Sequence, residues 1–232
     1  MNKPLIEACV DSYQSCVNAT KGGADRLELC SHLIIGGCTP TLPVFKQVQR
    51  DCKGVKINVL IRPRFGDFLY TEDEIEAMCE DIATFRDLGA NGVVIGALTP
   101  DGDLDIEVMK RMMACAGDMD VTLHRAFDMT RDPFKTLEEA IELGCKTILT
   151  SGQQSNVVEG KDLLKEVYEK AAGRIDIMAG CGVKKWRVFS SFFLEQALLC
   201  LVGCLAGCSI LLWLYEGGIA QRLSVIAYLV CY

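Results

Sequence analysis

Gly23-Ala24-Asp25-Arg26-Leu27-Glu28-Leu29-Cys30 carries the signature of a helix end leading into a buried strand. Its glycine ends a helical pattern, because glycine takes the left-handed cap at little cost. Short or polar residues follow, then an apolar run that ends on a thiol. The opening recurs as Gly89-Ala90-Asn91-Gly92-Val93 and Gly144-Cys145-Lys146-Thr147-Ile148. The ending recurs as Leu5-Ile6-Glu7-Ala8-Cys9, Val59-Leu60-Ile61-Arg62-Pro63-Arg64, Val121-Thr122-Leu123-His124-Arg125 and Ile148-Leu149-Thr150-Ser151. Each apolar segment meets a polar, charged or thiol residue, then a loop, then a helical pattern. Repeated βα units favour parallel strands and right-handed crossovers. A parallel barrel ends all its strands on one face, and residues at those ends build the site.

The pattern predicts strands over 5–10, 25–30, 56–62, 92–98, 120–126, 146–151 and 175–179. It predicts helices over 12–22, 41–52, 72–88, 105–116, 133–143 and 158–172. Asp132-Pro133 reads as an N-cap with proline at the first helical position. Thr71 with Glu74 reads as a capping box. Seven units are countable, one short of a closed (β/α)8 barrel, so the expected fold is a TIM-type α/β barrel that lacks its own eighth unit.

The rest of the chain reads differently. Residues 1–183 form the barrel-like unit, and 184–232 form an apolar tail. Beyond Val183 the only charged residues are Lys184, Lys185, Arg187, Glu195, Glu216 and Arg222. Gln196 to Tyr215 carries no charge and is long enough to cross a bilayer as a helix. Leu223 to Tyr232 is the only strand-like remainder. The tail is read either as a translated intron or frameshift, since every valine codon begins with GT, or as a membrane anchor.

Composition narrows the function classes. The 232 residues are 50% hydrophobic, so a sizeable core is available. A net charge of −7 argues against a nucleic-acid surface. No secretory signal is read ahead of the first strand. The 13 cysteines include no CxxC pair and are read as intracellular thiols rather than disulfides. No phosphate loop, HExxH or nucleophile elbow occurs, and no reaction is assigned.

Strand parity sorts the faces. Glu7, Cys9 and Asp11 share one side, and Arg26, Glu28 and Cys30 share the matching side of the next strand. The apolar set must meet helices, so these point into the barrel, as do Asn58, Leu60, Arg62, Thr122 and His124. Cys9 and Cys30 lie near the ends of adjacent strands ~4.8 Å apart. Two thiolates suit a soft ion such as Cu(I), and two buried cysteines also simply pack well. Glu28, Arg62, Arg64, His124, Arg125, Asp128 and Ser151 form a second candidate set. It is read either as an ion-pair network or as a site for a small anion, since guanidinium groups match carboxylate and phosphate. His124 is a candidate acid, base or ligand, or a satisfied core residue.

Glu7-Ala8-Cys9-Val10-Asp11-Ser12, Gly22 to Ser31, Ile61-Arg62-Pro63-Arg64 with Gly66-Asp67-Phe68, His124-Arg125-Ala126-Phe127-Asp128 and Leu149-Thr150-Ser151-Gly152 together resemble the CutC copper homeostasis family. The resemblance covers residues 4–183, in order. It implies a TIM barrel, a cytoplasmic setting and, as in some members, Cu(I) binding, which maps to Cys9 and Cys30. The family continues past its seventh strand with a helix and a strand bearing a His-x-Ser motif, which this tail lacks. The leading expectation is a copper homeostasis protein. The alternatives are a TIM-barrel enzyme acting on a small anionic phosphate or carboxylate metabolite, and a membrane-tethered adaptor. Self-association into a homo-oligomer is left open.

Overall fold

In a computed structural model of the chain, residues 5–181 and the backbone of 226–230 are described. The strands are β1 (Ile6–Val10), β2 (Arg26–Leu29), β3 (Lys56–Leu60), β4 (Gly92–Ile95), β5 (Asp120–Leu123), β6 (Thr147–Thr150), β7 (Asp176–Ala179) and β8 (Ile226–Val230). The helices are α1 (Tyr13–Lys21), α2 (Leu42–Asp51), α3 (Glu72–Asp87), α4 (Ile106–Ala116), α5 (Pro133–Leu143) and α6 (Lys161–Ala171). All neighbouring strands pair in parallel and the sheet closes in sequence order. The expected TIM-type barrel is therefore the fold.

Local chemistry sets the element ends. Gly23, Gly89 and Gly144, the glycines of the internal repeat, have φ of +85°, +85° and +86°. The Thr71–Glu74 capping box forms in both directions. Asp132 accepts from the amides of Phe134 and Lys135, with Pro133 at the start of α5. Several ends differ from the reading: β4 stops at Ile95 rather than 98 and α6 starts at Lys161 rather than 158. The fifth strand stops at Leu123, and Arg125–Met129 forms a 3-10 turn instead. His124 starts that turn, because its ring accepts from the Ala126 amide.

Two apolar layers result. Outside the sheet, Leu27, Leu29, Val59, Ile61, Val93, Ile95 and Leu123 pack against the helices. Phe45 and Phe85 meet edge to face at 5.2 Å there. Inside the barrel, Cys9, Cys30, Leu60, Val94, Leu149 and Met178 form a separate buried cluster. Buried polar groups share that interior, as parity predicts: Glu7, Arg26, Glu28, Asn58, Thr122 and His124 are all buried. Asp11, read as inward too, lies past the end of β1 and is exposed.

The seven strands counted from sequence gain an eighth from the strand-like remainder of the tail. Ile226–Val230 pairs with β1, from Ile6 opposite Ala227 to Cys9 opposite Val230. It also pairs with β7, Met178 opposite Ile226 and Ala179 opposite Ala227. β1 and β7, which a seven-stranded sheet would leave as open edges, are thus both covered. The uncharged run 196–215 lies outside the described residues. Among the described residues no helix is long and apolar enough to cross a membrane.

Candidate functional site

The β1–β2 register sets Cys9 opposite Glu28 and Val10 opposite Leu29. Cys30 is the next residue, and its amide donates to the Val10 carbonyl at 2.9 Å. This brings the two sulfurs to 3.9 Å, with both side chains almost fully buried. A disulfide is ~2.05 Å long, so these are separate thiols. The Cys9 thiol points to Glu28 Oε1 at 3.7 Å and the Cys30 thiol to the Val10 carbonyl at 3.5 Å. Gly37 closes over the second thiol. A Cβ there would sit 2.7 Å from Leu60 Cδ2 and 3.6 Å from Cys30 Sγ. Among the described residues no three His, Cys, Asp or Glu side chains are placed to hold one metal ion. The thiol pair is a two-donor site.

Beneath the thiols lies a charged floor. Glu7 pairs with Arg26, and both are buried. Burial pushes the Glu7 carboxyl up, and the adjacent Arg26 charge pulls it back down in part. A second Arg26 nitrogen reaches Met178 Sδ at 3.9 Å. Both amide atoms of Asn58 and the Thr147 hydroxyl are buried without a hydrogen-bond partner among the described residues.

Above the thiols, the loop after β3 builds the barrel mouth. Arg62 donates from one terminal nitrogen to the carbonyls of Gly36 and Gly37 at 3.3 and 3.2 Å, and from the other to Gly66 at 2.7 Å. Its guanidinium lies over the Phe68 ring, 5.0 Å from the centroid. His124 packs on the same ring at 4.7 Å between centroids. Gly96 makes room for it, since a Cβ there would sit 2.6 Å from His124 Cε1. Burial first, and then the Arg62 charge, hold the imidazole down to about 3, so it is neutral at ordinary pH.

The remaining candidates are engaged in ion pairs and hydrogen bonds. Arg64 pairs with Glu74 at 2.6 Å and Asp67 at 3.0 Å, which ties the loop to the start of α3. Arg125 pairs with Asp128 at 2.9 Å and donates to Ser151 at 3.0 Å. Asp128 also accepts from Thr150, Ser151 and Gln153. The structure thus brings Cys9, Cys30 and Glu28 into one cluster and Arg62 with His124 into a second. Arg64 covers the Tyr70 ring at 5.5 Å, and Arg125, Asp128 and Ser151 form a hydrogen-bonded group of their own. The sequence reading gives no role to Phe68 or Tyr70. The signal available was spacing: Arg62 and Arg64 are two apart, as are Phe68 and Tyr70, and each arginine covers the aromatic six residues on.

The model of the CutC family matches residues 4–192. A family protein CutC from Parabacteroides distasonis is 51% identical over 183 residues, covering 79% of this chain and 75% of the relative. The copper homeostasis protein cutC homolog of Homo sapiens is 49% identical over 179 residues, covering 77% of this chain and 65% of that one. A solved CutC structure from Streptococcus agalactiae superimposes with a TM-score of 0.77 at 30% identity, covering 81% of this chain and 92% of that chain.

Proposed function

The chain belongs to the CutC family, and from that premise we propose that it carries copper as Cu(I) between the thiolates of Cys9 and Cys30. The single observation behind this is the 3.9 Å separation of two buried sulfurs on adjacent strands. Metal–thiolate bonds of ~2.3 Å, the zinc value, would let one ion bridge that gap from slightly off the line between the sulfurs. Two soft donors in an apolar cluster favour Cu(I) over zinc, which wants four ligands. Each thiol must lose its proton to bind, and the Glu28 carboxylate beside Cys9 is placed to take one. The name carried by the human relative, a copper homeostasis protein, supports the same cargo. All the described cysteines are free thiols, which suits the reducing cytoplasm that this reading assigns. The test is Cu(I) titration against a competing chelator with wild type and the Cys9→Ser/Cys30→Ser double variant. Affinity should collapse in the variant; unchanged affinity would refute the site.

A second reading is favoured by a separate observation at the barrel mouth. His124 Nδ1 accepts from the Ala126 amide at 3.1 Å, which leaves a proton on Nε2, and that atom has no partner among the described residues. An imidazole N–H beside a buried arginine suits an enzyme acting on a small anionic metabolite. Turnover of any such compound, lost in His124→Asn, would be its test.

A further inference from the structure

The barrel mouth holds a buried positive charge, Arg62, that forms no ion pair with a carboxylate among the described residues; Asp67 feels its charge but spends its own ion pair on Arg64. Arg62 is 6% exposed, and its terminal nitrogens spend themselves on three backbone carbonyls. Among the described residues its Nε–H has no acceptor. Carbonyl dipoles offset the cost of burying a cation only in part, and a buried guanidinium ordinarily has an ionic partner. The neighbouring arginine does not share this state, since Arg64 is neutralised by Glu74 and Asp67.

Two neutral donors stand beside it. His124, 5% exposed, presents an Nε2–H that no described residue accepts. The half-buried Tyr70 hydroxyl lies beside the Arg62 guanidinium without an aligned hydrogen bond. Burial raises its pKa to about 12, so it keeps its proton. The Phe68 ring contacts both Arg62 and His124 and gives the group an apolar wall.

We propose that this mouth binds a small organic monocarboxylate, its two oxygens shared among Arg62 Nε, His124 Nε2 and the Tyr70 hydroxyl, its apolar end against Phe68. Charge sets the class. One guanidinium balances one negative charge, whereas a phosphate dianion would leave the second charge buried and unmatched. A carboxylate offers about four acceptor positions on two oxygens, enough for three donors. The proposal uses the site of the second reading above but asserts binding only. A chain that binds propionate and transforms no carboxylate would refute the enzyme and leave this site standing.

The experiment is calorimetric titration and thermal unfolding of the copper-free full chain with sodium propionate, inorganic phosphate and sodium chloride at matched ionic strength. Propionate should bind saturably and raise the melting temperature by mass action. Phosphate and chloride should give no saturable response. Tyr70→Phe keeps the ring and removes only the hydroxyl, so it should fold and bind propionate about tenfold more weakly. His124→Asn should weaken it similarly. An equal response to all three salts, or an unchanged propionate affinity in both variants, would overturn the proposal. Tighter binding of phosphate would overturn the monocarboxylate assignment.

Discussion

Gly37 is packed directly over Cys30, and the thiol has its position because the glycine has no side chain. A Cβ at Gly37 would lie 3.5 Å from Cys30 Cβ and only 2.7 Å from Leu60 Cδ2. The same residue passes its carbonyl to Arg62 at 3.2 Å. One backbone unit therefore joins the thiol pair to the barrel mouth, and each of the two sites depends on its placement.

Gly37→Ala should accordingly damage both. Its φ of +85° strains any other residue, and the methyl would overpack the inner cluster. Together these should cost roughly 2–4 kcal/mol. Gly54→Ala is the control, with φ +83° and nothing within 4 Å, and should cost only ~1–2 kcal/mol. Urea unfolding of both, with Cu(I) affinity measured alongside, separates strain from displacement of Cys30. Equal stability and equal copper affinity in the two variants would show that Gly37 does not set the thiol.

The buried Glu7–Arg26 pair gives a second expectation. Removing either partner leaves the other charge buried alone, at about 3–5 kcal/mol. Glu7→Leu and Arg26→Met should each approach that cost. The double variant should cost much less than their sum, since it removes both charges together. A double-mutant cycle by denaturant unfolding measures the difference. Additive costs would mean that the two side chains do not interact as a pair.

Much of this was legible in the sequence, and the limits have physical causes. Strand parity alone put Cys9, Cys30 and His124 inside the barrel, because a period of two leaves no third option. Parity has no hold beyond Leu123, where the strand ends and the chain turns into a 3-10 helix that carries Arg125. Pairing of charges was less legible still. Parity turns Glu7 and Arg26 inward without pairing them, and in the structure they lie opposite each other and form an ion pair. Arg64 looked equivalent to Arg62 two residues away. It differs because Glu74, already the capping-box residue of α3, also reaches it. Such partners depend on how a loop folds back, and sequence spacing does not encode that.

His124 should make stability depend on pH. Its pKa falls from 6.5 unfolded to about 3 folded, so between those values the unfolded chain binds the extra proton. Stability from this group is therefore full above about 6.5 and lost as pH falls toward 3, at about 1.4 kcal/mol per unit. His124→Asn removes the titrating group. Urea midpoints across pH 7 to 4 should fall less steeply in the variant than in wild type. Parallel profiles would show that His124 does not titrate between folded and unfolded states.

The last expectation concerns β8, which lies beyond the residues that the family model matches. Its pairing partner β1 carries Cys9, which lies opposite Val230. On the other side β8 pairs with β7, next to Met178 of the inner cluster. Deleting residues 224–232 would bare the backbone edges of both β1 and β7. Bare edges pair with other chains, so the truncated protein should aggregate. It should also lose copper affinity, because the strand that positions Cys9 would be held from one side only. Leu229→Pro is the milder form of the same test, since proline removes one strand amide without shortening the chain. Soluble yield, thermal unfolding and Cu(I) titration of the three proteins decide the matter. If the truncated chain stays soluble, melts at the wild-type temperature and binds copper as well, the seven strands from Ile6 to Ala179 suffice and the tail closes nothing that function needs.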